Sequence, residues 1–128
     1  MKTIKFTPQL TLLIKQGKKT TTFRLFDEKT LSKGDDVILA TRNGEKITNF
    51  ANAIITDVSI KTLETLSKED YVGHEPIPNE DRFKYYSQFY GDRVRPNSEV
   101  KIIRFQITKF LIDQNSYLCY NSCYVLLM

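Results

Sequence analysis

The tightest constraint in this sequence is the dipeptide Asn43-Gly44, set between two strand-like runs. Asp36-Val37-Ile38-Leu39-Ala40-Thr41 precedes it, and a long stretch rich in β-branched residues follows from Lys46 to Ile60. Two such runs joined by Asn-Gly predict an antiparallel hairpin with a type I′ turn. The second arm is too long for one flat strand, so it is expected to bend or carry a bulge. A chain built around such a hairpin is sheet-centred, with helices filling gaps.

The flanking segments fit that frame. Thr3-Ile4-Lys5-Phe6 alternates polar and apolar, as a half-buried strand does. Thr7-Pro8 reads as an N-cap followed by proline at the first helical position. The spacing predicts a short helix over 8–16, with Leu10, Leu13 and Ile14 on one face and Leu12 beside it. Gly17 suits the residue after a helix end. Thr20 to Phe26 reads as a strand. Its alternation puts Thr20, Thr22 and Arg24 on one face and Thr21, Phe23 and Leu25 on the other.

After the hairpin, Leu63 and Leu66 fit a helical turn, and Ser67 is placed to cap a second one, with Asp70 three residues on. Gly73 to Pro78 holds two prolines and reads as a loop. Asn79 is placed to cap a helix over 80–90, in which Phe83, Tyr86 and Phe89 are expected to be core, with Tyr85 and Tyr90 at a cleft edge. Gly91 ends it. Val100 to Ile107 is the last clear strand. The apolar tail from Phe110 to Met128 either packs or adds a strand. The order predicts an α+β fold, a small mixed β-barrel with two or three short helices.

The 128 residues suit one domain with its own core. The net charge is only +4, but it is unevenly spread. Residues 1–26 hold Lys2, Lys5, Lys15, Lys18, Lys19 and Arg24 and no acid, so the other 102 residues carry a net −2. A basic end attracts polyanions, nucleic acid foremost, although a solvated basic face gives the same count. Met1-Lys2-Thr3-Ile4 lacks the apolar run of a signal peptide, and no stretch nears the ~18 apolar residues of a spanning helix. Cys119 and Cys123 are the only cysteines, with no second pair to complete a zinc site. The expectation is a cytoplasmic protein with free thiols, without metal, cofactor or membrane partner.

One short segment concentrates chemistry. Gly17-x-Lys19-x-x-Thr22-x-Arg24 brings an amine, a hydroxyl and a guanidinium within six residues, with no acid before Asp27. Thr22 is a nucleophile once its proton is removed, and Lys19 removes it only if burial or nearby cations (Lys18 and Arg24 here) lower its pKa. Arg24 suits a phosphate or carbonyl oxygen. His74, the only histidine, lies in the Gly73–Pro78 loop and suits acid–base work near neutral pH. A ribonuclease relying on paired histidines is unsupported.

With this motif and order of elements the sequence resembles the ASCH domain, of the PUA-like superfamily. The signature Gly-x-Lys-x-x-Thr-x-Arg is met by Gly17, Lys19, Thr22 and Arg24. An apolar helix precedes it; Lys33-Gly34-Asp35, the Leu63/Leu66 turn and the final Val-Lys-Ile-Ile-Arg-Phe strand follow in matching order. The resemblance covers about residues 3–108. It divides the chain into a 1–109 PUA-like domain and a 110–128 tail. It implies a PUA-like barrel with a cleft beside the motif, and RNA or a modified nucleoside as partner through Gly17, Lys19, Thr22, Arg24 and His74. One bacterial branch of the family is an amidohydrolase of N4-acetylcytidine that uses a Lys, a Thr and a Glu. By motif these would be Lys19, Thr22 and a carboxylate that spacing leaves open. Simple counting puts His74 at that position, with Glu75 next to it and Glu69 as the other carboxylate.

Overall fold

Five strands hydrogen-bond into one curled sheet in the computed structural model, which describes residues 1–76 and 82–111. The strands are β1 (Lys2–Phe6), β2 (Thr21–Leu25), β3 (Asp36–Asn43), β4 (Lys46–Thr62) and β5 (Glu99–Phe110). Their order across the sheet is β1-β3-β4-β5-β2, parallel between β1 and β3 and antiparallel elsewhere. Two α-helices accompany them, α1 (Pro8–Lys15) and α2 (Arg82–Tyr90). This is the small α+β barrel that the order of elements predicts.

The Asn43-Gly44 hairpin forms, with Asn43 paired to Lys46, but its turn differs from expectation. Gly44 has φ of 64°, and Glu45 is not at positive φ. Positive φ at the first central residue alone is the type II′ pattern, which suits the same strand twist as type I′. The long arm does bulge. The β3 and β5 registers leave Phe50 and Thr56 unpaired on β4, and the bulge explains why Phe50 and Ala51 are both buried in succession.

Strand β5 is covered on both faces. Ile103 and Phe105 join Ile4, Phe6, Val37, Leu39 and Ile55 inside the barrel. Val100 and Ile102 face outward, into a second core with Phe23, Leu25, Leu63, Leu66 and Tyr86. Each of these β5 side chains contributes about 1.5–3 kcal/mol by leaving water. The outer core is where the Leu63–Thr65 turn, the Lys68–Tyr71 turn and α2 sit. Ser67 and Asp70 cap the second turn as expected, and Lys61 bonds the Asp70 carboxylate at 2.7 Å.

The edge strands β1 and β2 share no backbone ladder; side chains bridge them. The Arg24 guanidinium donates to the Lys5 carbonyl at 2.7 Å and lies 4.9 Å from the Phe6 ring. Lys29 donates to the Thr3 carbonyl at 2.7 Å, and Lys2 to that of Thr30.

Helix α1 starts as read: Thr7 accepts from the Leu10 amide, and Pro8 is the first residue. Ile14 is buried, but Leu12 is 55% exposed, and Thr11 is buried in a 2.8 Å bond to Thr41. Helix α2 departs from expectation. Tyr86 is core, whereas Phe83 and Phe89 are 39% and 56% exposed. Only one position per turn reaches the outer core, which also takes Tyr85 and Tyr90 at its margin. The Asn79 cap, the cysteines and the tail beyond Leu111 lie outside the described residues.

Candidate functional site

The motif is laid down by the end of α1. Gly17, at φ of 76°, lets the chain reverse, and the Lys18 and Lys19 amides both return to the Leu13 carbonyl. The next two amides, of Thr20 and Thr21, donate to one acceptor, the Gly73 carbonyl, at 2.8 and 3.0 Å. The Gly73–Glu75 loop is thereby docked on the start of β2. Arg104 locks it from β5, donating to Thr21 Oγ1 at 2.9 Å and to the Val72 and Glu69 carbonyls at 2.8 and 3.1 Å.

Gly73 is required there twice over. Its φ is 79°, and a Cβ would stand 2.3 Å from Thr20 Oγ1.

Docking of this loop puts Glu75 on Lys19. The Lys19 ammonium donates to the Thr21 carbonyl at 2.8 Å and to both Glu75 carboxylate oxygens, Oε2 at 3.2 Å. The Lys19 side chain is 1% exposed and that of Glu75 11%. Burial pulls the Lys19 pKa below its ordinary value; Glu75 acts in the opposite sense and Arg24 adds to the lowering. Lys18, exposed, has no part in this.

His74 is held in the same knot. Its ring stacks on Phe23 at 4.0 Å and meets Tyr71 edge-on. Nδ1 lies 2.8 Å from the Glu75 carbonyl and 3.0 Å from Glu75 Oε1. Both neighbours are acceptors, which assigns the proton to Nδ1. Burial, then the Lys19 charge, lowers the His74 pKa to about 4, so the ring is neutral at physiological pH.

Thr22 and Arg24 share a face, as alternation predicts: Arg24 Nε donates to Thr22 Oγ1 at 3.3 Å. Thr22 is 4% exposed. Arg24 also serves the β1–β2 seam, and it lines two adjoining cavities of about 270 and 210 Å³. The structure thus gathers Lys19, Glu75 and His74 in direct contact, with Thr22 and Arg24 on the adjoining strand. Glu69 is not brought to Lys19; its carboxylate is fully exposed. Gly17 contributes the turn and no donor to the cluster.

Sequence reasoning did not find Arg104; it did place Tyr85 at a cleft edge, and put Tyr86 in the core. Tyr85 and Tyr86 both feel the Glu75 charge, and burial raises both hydroxyls above the usual phenol pKa. Nothing in the local pattern of β5 distinguishes Arg104 from a solvated strand arginine. Among the described residues no group of His, Cys, Asp and Glu is placed to hold a metal ion.

No protein-family model and no curated protein matches this sequence. Solved structures do match. The ASCH domain from Lactobacillus crispatus JV V101 superposes with a TM-score of 0.57 at 16% identity, over 77% of this chain and 69% of that one. The ASCH protein of Zymomonas mobilis gives a TM-score of 0.62 at 12% identity, over 94% and 78%. This chain has an ASCH-type fold. A hypothetical protein, PH0355, is 26% identical over 84% of this chain and 99% of its own length, with a TM-score of 0.60. In the ASCH-type barrel described above, the signature residues lie at the helix-to-strand junction between α1 and β2.

Proposed function

We propose that this ASCH-type chain hydrolyses the amide of an N-acylated nucleobase such as N4-acetylcytidine, with Lys19, Thr22 and Glu75 as its working groups. The observation that supports this reading is the buried contact between Lys19 and Glu75. Burial lowers the Lys19 pKa, so this lysine gives up its proton more readily than an exposed one, and the Glu75 carboxylate in contact with it is the nearest acceptor.

On this reading the Thr22 hydroxyl attacks the acyl carbon and its proton passes to the Lys19 amine. The carbon–nitrogen bond breaks as Glu75, which takes the Lys19 proton when substrate binds and so frees the amine, protonates the leaving amine of the base. Water then attacks the Thr22 ester, giving its proton to Glu75; the carbon–oxygen bond breaks, the Thr22 oxygen takes back the proton held by Lys19, and the carboxylic acid leaves. His74, neutral, fixes the Glu75 carboxylate through Nδ1. Thr22 must be uncovered for the substrate to reach it, so binding and opening are coupled.

The test is incubation of purified protein with N4-acetylcytidine, with cytidine followed by chromatography. Turnover is expected, reduced by about 100-fold or more in Thr22→Ala and in Glu75→Gln. An intact fold with no cytidine formed over a wide pH range would sink the reading, as would full activity in Thr22→Ala.

A second reading, RNA binding without hydrolysis, is favoured by Lys15 and Lys18. Both are exposed at the end of α1 and have no salt-bridge partner among the described residues. If this face holds phosphates, affinity for a short RNA falls as salt rises, and Lys15→Ala with Lys18→Ala weakens it at low salt. Salt-independent binding would remove this reading.

A further inference from the structure

We infer that Phe26 is the stacking platform of a nucleobase subsite, formed with Arg24, Asp27, Ile60, Glu99 and Lys101 and separate from the Lys19–Glu75 pair. Three observations converge on it. First, these six residues line a cavity of about 270 Å³, and Phe26 also walls the adjoining one of about 210 Å³. A space of this size holds a base and part of its sugar.

Second, Phe26 is the only non-glycine residue at positive φ among those described, at 56°. That conformation costs an aromatic residue about 1–2 kcal/mol. Glycine would make the same turn without the cost, and asparagine at a lower one. Phe26 keeps 40% of its surface exposed in that conformation, so part of the ring is left open to a ligand. The strain is imposed from outside. Lys101 holds the following loop by the Asp27 and Lys29 carbonyls at 3.2 and 2.5 Å, and the Leu25 amide donates to the Tyr90 hydroxyl at 3.3 Å.

Third, the chemistry around the ring suits a planar heterocycle. The Arg93 guanidinium already lies 4.2 Å from the Phe26 centroid, and Tyr90 meets the ring edge-on at 5.7 Å. Ile60, 60% exposed, supplies an apolar wall. The Arg24 guanidinium can donate to a ring nitrogen or carbonyl, and the Asp27 and Glu99 carboxylates can accept from an exocyclic amine. A fatty or purely anionic ligand would leave one of those two sets unmatched.

The test uses 2-aminopurine riboside, whose fluorescence is quenched on stacking. Saturable quenching is expected with the wild-type protein, weaker by about tenfold or more in Phe26→Asn and kept in Phe26→Tyr. The thermal midpoint of Phe26→Asn is expected not to fall, because asparagine accepts the left-handed turn. Amide shifts in the unsubstituted protein give a reading that needs no variant: they should centre on Ile60, Glu99 and Lys101. Absent quenching, unchanged affinity in Phe26→Asn, or shifts centred on Lys19 and Glu75 would each overturn the inference. The probe carries no acyl group, so its binding is read independently of hydrolysis.

Discussion

Lys19 is the residue whose surroundings matter most. Its ammonium has lost nearly all its water and kept one carboxylate and one carbonyl in exchange. Removing the carboxylate therefore leaves an uncompensated buried charge. Glu75→Ala is expected to lower unfolding free energy by about 3 kcal/mol in urea titrations. Replacing both partners, Lys19→Met with Glu75→Leu, should recover most of that loss, because an apolar pair has no charge to desolvate. Gly73→Ala should cost more than about 1 kcal/mol through its backbone angle alone and loosen the loop that carries Glu75. At this scale the sequence was partly legible. The spacing of Gly17, Lys19, Thr22 and Arg24 is local, and so are the turn and the strand alternation that arrange them. The choice among Glu69, His74 and Glu75 was not local. It depends on the Gly73 carbonyl meeting two amides some fifty residues away, and a one-residue ambiguity in a loop cannot be resolved by counting.

Among the elements, β2 is the one with two duties. Its outer side chains Phe23 and Leu25 build the second core, while Thr22 and Arg24 turn inward. Arg24 also ties β2 to β1, where the ladder is missing. Arg24→Ala is expected to cost about 2 kcal/mol, from a charged hydrogen bond and a ring contact, and to speed hydrogen exchange at β1 amides ahead of those in β4. Exchange that rises equally everywhere would show that the seam does not depend on Arg24. The hairpin and its bulged arm could be read because turn residues and β-branched runs act over short range. Helix α2 could not. Its aromatic residues recur at helical spacing, but burial of Phe83 and Phe89 requires a surface to face, and the outer core offers room for Tyr86.

For the whole molecule, acid is the simplest probe. His74 titrates near 4 when folded and at an ordinary 6.5 when unfolded. Between those values the unfolded chain takes up a proton that the folded one refuses. This contribution is complete above about pH 6.5 and is lost as pH falls toward 4, by about 3 kcal/mol in all. Urea unfolding across that range should show the slope, and His74→Phe should flatten it.

The position of β5 has a consequence for how the chain comes into being. It is the last described strand in the sequence and pairs with both β4 and β2, placing Thr21 beside Arg104. During synthesis, β3 and β4 can zip together as soon as they emerge, but the wall cannot close until β5 has left the ribosome. Arg104, which pins the Glu75 loop, arrives in the same stretch. Nascent chains cut short before residue 99 would thus carry Lys19 without its lock, and the basic α1–β2 junction would wait, unassembled, until β5 emerges.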